Sequence, residues 1–146
     1  MPPRFERRIK IISPDSLFHL ARALAKARFR NRHPVHGGSG CPVIVEGRRD
    51  METLRSLGFE GPIELVNRGW GQSRLIAHLH DSYGRKNTVD GGPALILMMD
   101  WDRTGMRLHE NLLGRMRSLD MWIDESTRKT LMRTVPLKAP TIEGMK

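Results

Sequence analysis

The chain has 146 residues, 38% of them hydrophobic, and a formal charge of +9 at pH 7, which suits a single domain with a real core and is short for two. No apolar stretch approaches the roughly 18 residues needed to cross a membrane, and Met1-Pro2-Pro3-Arg4-Phe5-Glu6-Arg7-Arg8 lacks the apolar run of a secretory signal, so a soluble cytoplasmic protein with no membrane partner is expected. Cys41 is the only cysteine, which excludes an internal disulfide and a thiolate zinc cage.

The charge is concentrated at the amino terminus. Residues 1–36 hold nine basic side chains (Arg4, Arg7, Arg8, Lys10, Arg22, Lys26, Arg28, Arg30 and Arg32) against Glu6 and Asp15, so most of the net charge sits there. A polyanion is the natural partner for it, because neutralised phosphates release counterions, and nucleic acid, DNA or RNA, is therefore expected. Ser13-Pro14-Asp15 predicts a helix start, with a hydroxyl cap, proline in the first turn and an acid at the positive end. The helix should reach Phe29 or Arg30, with Leu17, Phe18, Leu20, Ala21, Leu24, Ala25 and Phe29 on one broad apolar arc and Arg22, Lys26 and Arg30 repeating on the other side. His33-Pro34-Val35-His36-Gly37-Gly38-Ser39-Gly40 reads as a linker. Residues 1–40 thus form a basic arm, 41–134 a domain and 135–146 an extended tail.

Within the domain, Val43-Ile44-Val45 predicts a buried strand ending in Glu46-Gly47, followed by a helix over 50–57. A second strand over 62–66 leads into the turn Asn67-Arg68-Gly69-Trp70-Gly71, and Leu75, Ile76 and Leu79 mark the next helix. Residues 84–93 form a polar loop expected to be the most mobile part of the domain. Ala94-Leu95-Ile96-Leu97-Met98-Met99 is a third strand ending in Asp100-Trp101-Asp102, followed by a helix over 104–119. A short fourth strand is expected within 120–124 and a short helix over 125–132.

Apolar strands alternating with helices predict an α/β fold with a mainly parallel sheet of about four strands, and ligands bind beyond the carboxyl ends of such strands. That rule brings Glu46, Asp100 and Asp102 to one edge. Carboxylates facing a phosphate suit Mg²⁺, with Mn²⁺ as a substitute, because both take hard oxygen ligands. Asp100 and Asp102, two apart on an extended strand end, would point the same way, with Trp101 turned into packing. Glu46 would complete the metal shell or transfer a proton. Gly47 would let a phosphate approach the backbone, and Arg48 and Arg49 would hold it at the helix start.

A strand ending in Glu46-Gly47 with Asp50 three residues on, an Asn67-Arg68-Gly69 turn, and a strand ending in Asp100-Trp101-Asp102 with Gly105 three residues later together resemble the Toprim domain of topoisomerases, bacterial-type primases, OLD-family and M5-type nucleases and RecR-like repair proteins. The resemblance covers about residues 41–125. It implies Glu46 as general acid/base, Asp100 and Asp102 as the Mg²⁺ pair, and a small stand-alone protein whose substrates the resemblance does not fix; Mg²⁺-dependent, nuclease-like chemistry on nucleic acid phosphodiesters is the leading expectation. The only tyrosine is Tyr83, and no zinc module or polymerase core accompanies the motif, which sets the chain apart from topoisomerases and replicative primases. A non-catalytic nucleic-acid-binding or scaffold role, as in RecR-like members, is the alternative. A phosphatase reading of Asp100-Trp101-Asp102-Arg103-Thr104 is disfavoured, because that motif belongs near the start of a chain and here only 44 residues follow Asp102.

Overall fold

A computed structural model describes residues 13–134. Arg4, Arg7, Arg8, Lys10 and the tail expected over 135–146 lie outside the described residues. The elements are α1 (Pro14–Asn31), β1 (Val43–Val45), α2 (Arg48–Ser56), β2 (Ile63–Leu65), α3 (Gln72–Tyr83), β3 (Leu95–Leu97), α4 (Arg103–Ser118), β4 (Ile123–Asp124) and α5 (Ser126–Thr134). The four strands form a sheet in the order β2-β1-β3-β4, with every neighbouring pair parallel. Helices flank it on both sides.

Period-two alternation sorts the core into two layers. Val43 and Val45 of β1, with Ile96 and Met98, meet α1, α2 and α5 through Leu20, Leu24, Ala27, Leu54 and Leu131. Ile44, Leu95, Leu97 and Met99 meet α3 and α4 on the opposite face through Leu75, Ile76, Leu79, Leu112, Leu113 and Met116. Both faces are covered, which is why β1 and β3 are apolar throughout rather than alternating. Each buried leucine contributes about 2 kcal/mol through its apolar surface.

The structure sharpens several expectations. The α1 helix starts as its sequence predicts, with the Ser13 hydroxyl accepting from the Ser16 N–H at 3.2 Å. Its inward stripe is narrower than the predicted arc: Leu20, Leu24, Ala27 and Asn31 are buried, whereas Phe18 and Phe29 are 61% and 54% exposed. The reason lies at the end of the helix, where polar groups set the docking angle. Asn31 donates to the Cys41 and Pro62 carbonyls, both at 2.9 Å, and accepts from the Gly61 N–H at 2.8 Å, while Arg28 donates to the Leu57 carbonyl at 3.1 Å. A side chain at Gly61 would collide with the Asn31 carbonyl.

The linker holds a short 3-10 turn over Pro34–His36. Within the loop at 84–93, buried Asn87 donates to the Ser39 carbonyl at 3.0 Å and accepts from the N–H groups of Val89 and Asp90 at 2.8 and 3.1 Å. Strand β4 is shorter than the segment 120–124: Asp120 adopts a positive φ of 57°, and only Ile123 and Asp124 pair with β3. Among the described residues no helix is long and apolar enough to cross a membrane.

Candidate functional site

From β1 the chain crosses outward through α2 to β2, then returns through α3 to β3 on the other side of β1. The order of strands therefore reverses between β1 and β3, and doubly wound sheets bind ligands at the carboxyl edge of such a switch point. Glu46 follows β1, and Asp100 and Asp102 follow β3. A direct bond joins the two segments: the Asp100 N–H donates to Glu46 Oε1 at 3.3 Å.

Each acidic residue has a distinct local setting. Burial raises the half-buried Glu46 carboxyl above its usual range, and the charges of Asp50 and Asp102 push the same way, against the Asp100 N–H and Arg128. Glu46 thus holds a proton more readily than an exposed glutamate does. Asp102 is the N-cap of α4, its Oδ1 accepting from the Gly105 N–H at 2.7 Å. Gly105 lies so close to the Asp100 carbonyl that a Cβ would collide with it, which accounts for a glycine three residues after Asp102. Asp50 is buried and accepts from the Gly47 N–H at 3.1 Å, so it shapes the turn at the start of α2. Trp101 is buried in the core, in line with its expected packing role. The strand pairing of β3 ends at Leu97, before the acids.

Arg128, on α5, was not legible as a site residue. It is 3% exposed, and its guanidinium donates to the Met99 carbonyl at 2.8 Å and the Asp100 carbonyl at 3.0 Å. The available signal was its place three residues before Leu131 on the inward stripe of a short amphipathic helix, since an arginine there must find partners. Desolvation lowers its pKa, and Asp100 and Glu46 are among the charges that oppose that shift. A fixed positive charge therefore lies beneath the acidic edge.

The donors at the edge are carboxylate oxygens, the hard ligands Mg²⁺ and Mn²⁺ prefer. Among the described residues no three His, Cys, Asp or Glu side chains converge into a metal-holding group. Mg²⁺ commonly takes one or two protein carboxylates and completes its shell with water and substrate phosphate, and Asp100 with Asp102 can supply that share.

The basic candidates divide into three groups. Arg48 and Arg49 are exposed in the first turn of α2, directly after Glu46. Arg22 and Lys26 lie on the outer side of α1 and line, with Arg133 of α5, a groove of about 580 Å³. Arg30 is set apart from them, for it forms a two-pronged pair with Asp90 at 2.7 and 3.0 Å and donates to the Pro93 carbonyl at 2.8 Å. That pairing holds the Asp90 carboxyl down at about 2.

Fold and edge together define a three-layer α/β protein with a doubly wound parallel sheet and a carboxylate-lined switch point. No family model and no solved structure matches the chain significantly. A UPF0292 protein of Thermococcus onnurineus is 32% identical over 104 residues, which cover 70% of this chain and 69% of the relative. The chain belongs to the UPF0292 family. A UPF0292 protein of Thermoplasma volcanium is 27% identical over 107 residues, covering 73% of this chain and 81% of that protein. Another, from Methanosarcina barkeri, is 33% identical over 88 residues, and there the match spans 59% of this chain and only 53% of the relative.

Proposed function

We propose that the chain is a small Toprim protein of the cytoplasm that carries out Mg²⁺-dependent, nuclease-like chemistry on nucleic acid phosphodiesters, with residues 41–134 as the Toprim domain and residues 1–40 as a basic nucleic-acid-binding arm. The observation that carries this reading is the position of Glu46 and Asp100 at the switch point between β1 and β3, joined by the 3.3 Å bond from the Asp100 N–H. The metal, when bound, would offset phosphate charge and activate water. Asp100 and Asp102 would hold it. Glu46, with a raised pKa, would move the proton. Arg48 and Arg49, beside Glu46 at the start of α2, would bind the flanking phosphates, helped by the positive end of that helix. Arg22 and Lys26 would contact the strand further away.

The test is a panel of single- and double-stranded DNA and RNA incubated with Mg²⁺ or Mn²⁺. Cleavage by wild type that falls by about two orders of magnitude or more in Glu46→Gln and Asp100→Asn is expected, as for loss of a positioned acid/base. The enzyme reading fails if wild type cleaves nothing and Asp100→Asn alters neither metal nor nucleic acid binding. A non-catalytic binding or scaffold role is favoured by one feature: the Asp102 and Glu46 carboxylates both have structural bonds within the chain. Binding indifferent to metal and to Glu46→Gln would select it.

A further inference from the structure

The turn after β2 is fastened to the acidic edge, because the Asn67 N–H donates to the Glu46 carbonyl at 2.9 Å and the Val66 N–H to the Val45 carbonyl at 2.9 Å. On that turn Trp70 carries two guanidinium groups, Arg68 with its Cζ 4.7 Å and Arg74 with its Cζ 4.3 Å from the ring centroid. The His78 ring meets Trp70 edge-on at 5.3 Å. The two arginines differ in what else they face. Arg68 is neutralised by Glu64 at 2.8 Å, and Glu64 is held in turn by His78 at 2.9 Å and the Tyr83 hydroxyl at 3.1 Å. Arg74 is exposed and has no ion pair among the described residues. Arg115 of α4 reaches the same place, its Nη1 donating to Ser73 Oγ at 3.3 Å, and it too is exposed and has no ion pair there. The first turn of α3, where Ser73 and Arg74 lie, has no side-chain cap and no acid.

We propose that Arg74 and Arg115, with Trp70 as the platform that holds Arg74, form a phosphate-binding subsite that guides a DNA or RNA strand past the Glu46 edge. The inference rests on the nucleic acid reading above and adds to it the path of the strand. A guanidinium stacked on an indole ring keeps its edge donors for phosphate oxygens while losing little further freedom on binding. The half-buried Glu64 network holds Arg68 and His78, which both lie against the ring, so the platform is set before a ligand arrives. The start of α3 adds a favourable field for the anion.

The experiment measures binding of a short fluorescein-labelled single-stranded DNA, and of the RNA with the same sequence, by anisotropy across a salt titration. Arg74→Glu and Arg115→Glu are each expected to weaken binding about tenfold, and Arg74→Ala to reduce the slope of log affinity against log salt by about one. Trp70→Ala should behave like Arg74→Ala and Trp70→Phe like wild type, with thermal melts confirming that each variant folds. Lys86→Glu makes the same charge change beside the opposite edge of the sheet, at the bridge to Pro93, and should leave binding unchanged. Wild-type affinity in both Arg74→Glu and Arg115→Glu, in a protein that binds the oligonucleotides, overturns the subsite and leaves the nucleic acid reading in place. Binding of neither oligonucleotide by wild type overturns both. Weakened binding in these variants of a protein that cleaves nothing supports the subsite and removes only the nuclease reading, and the tighter of the two probes tells which polymer it takes.

Discussion

Asp102 is a helix cap whatever else it does, since its Oδ1 accepts from the Gly105 N–H at 2.7 Å. Asparagine caps as well as aspartate, so Asp102→Asn should unfold close to wild type in a urea titration, whereas Asp102→Ala should lose about 1 kcal/mol. Equal losses in both would refute the capping account. The asparagine variant therefore removes the charge without the cap and is the right one for metal and activity measurements. At this scale the sequence was informative where chemistry and position coincide. Glu46 and Asp100 were visible because each is an acid closing an apolar run. Arg128 was not, because its partners are backbone carbonyls at Met99 and Asp100 that no residue pattern advertises. Arg30 matched the spacing of Arg22 and Lys26, yet its partner Asp90 lies 60 residues away, and helical periodicity says nothing about contacts of that range.

At the scale of elements, the pairing of α1 with the loop at 84–93 makes a prediction about acid. Asp90 titrates at about 2 in the folded protein against an ordinary value of 3.8, chiefly through its bond to Arg30. A carboxyl with a depressed folded pKa contributes stability above its unfolded pKa and loses that contribution as pH falls towards the folded one. Unfolding free energy measured between pH 5 and 2 should therefore fall below about pH 4, and Asp90→Asn should be less stable than wild type at pH 5 with a shallower fall below it. Parallel pH curves for the two proteins would show that the pair does not contribute. The Asp90 side chain is 32% exposed, so solvent screening keeps the effect modest. The elements themselves were largely legible in the apolar runs and caps. Their exact lengths were not, because strand pairing ends where partners end: β4 pairs with β3 over only two residues.

Across the whole molecule, the strand order β2-β1-β3-β4 follows from the way α2 and α3 cross the sheet, and no local pattern encodes that choice. The acidic edge is a product of this topology, since β1 and β3 become neighbours only if β2 goes to the outside. It also depends on α5. Arg128→Met keeps the apolar length of the side chain but leaves the Met99 and Asp100 carbonyls without their donor, which should cost on the order of 2 kcal/mol in a denaturant titration. A loss under half that figure would mean that other groups satisfy those carbonyls.

The bond from Arg128 to the Asp100 carbonyl spans 28 residues, and α5 is the final helix of the described chain. The acidic edge therefore has a fixed place in the order of synthesis. Glu46, Asp100 and Asp102 have all been translated before the residue that braces them, so a nascent chain ending ahead of α5 carries the carboxylates without the buried guanidinium beneath them. Only when α5 docks is the site complete.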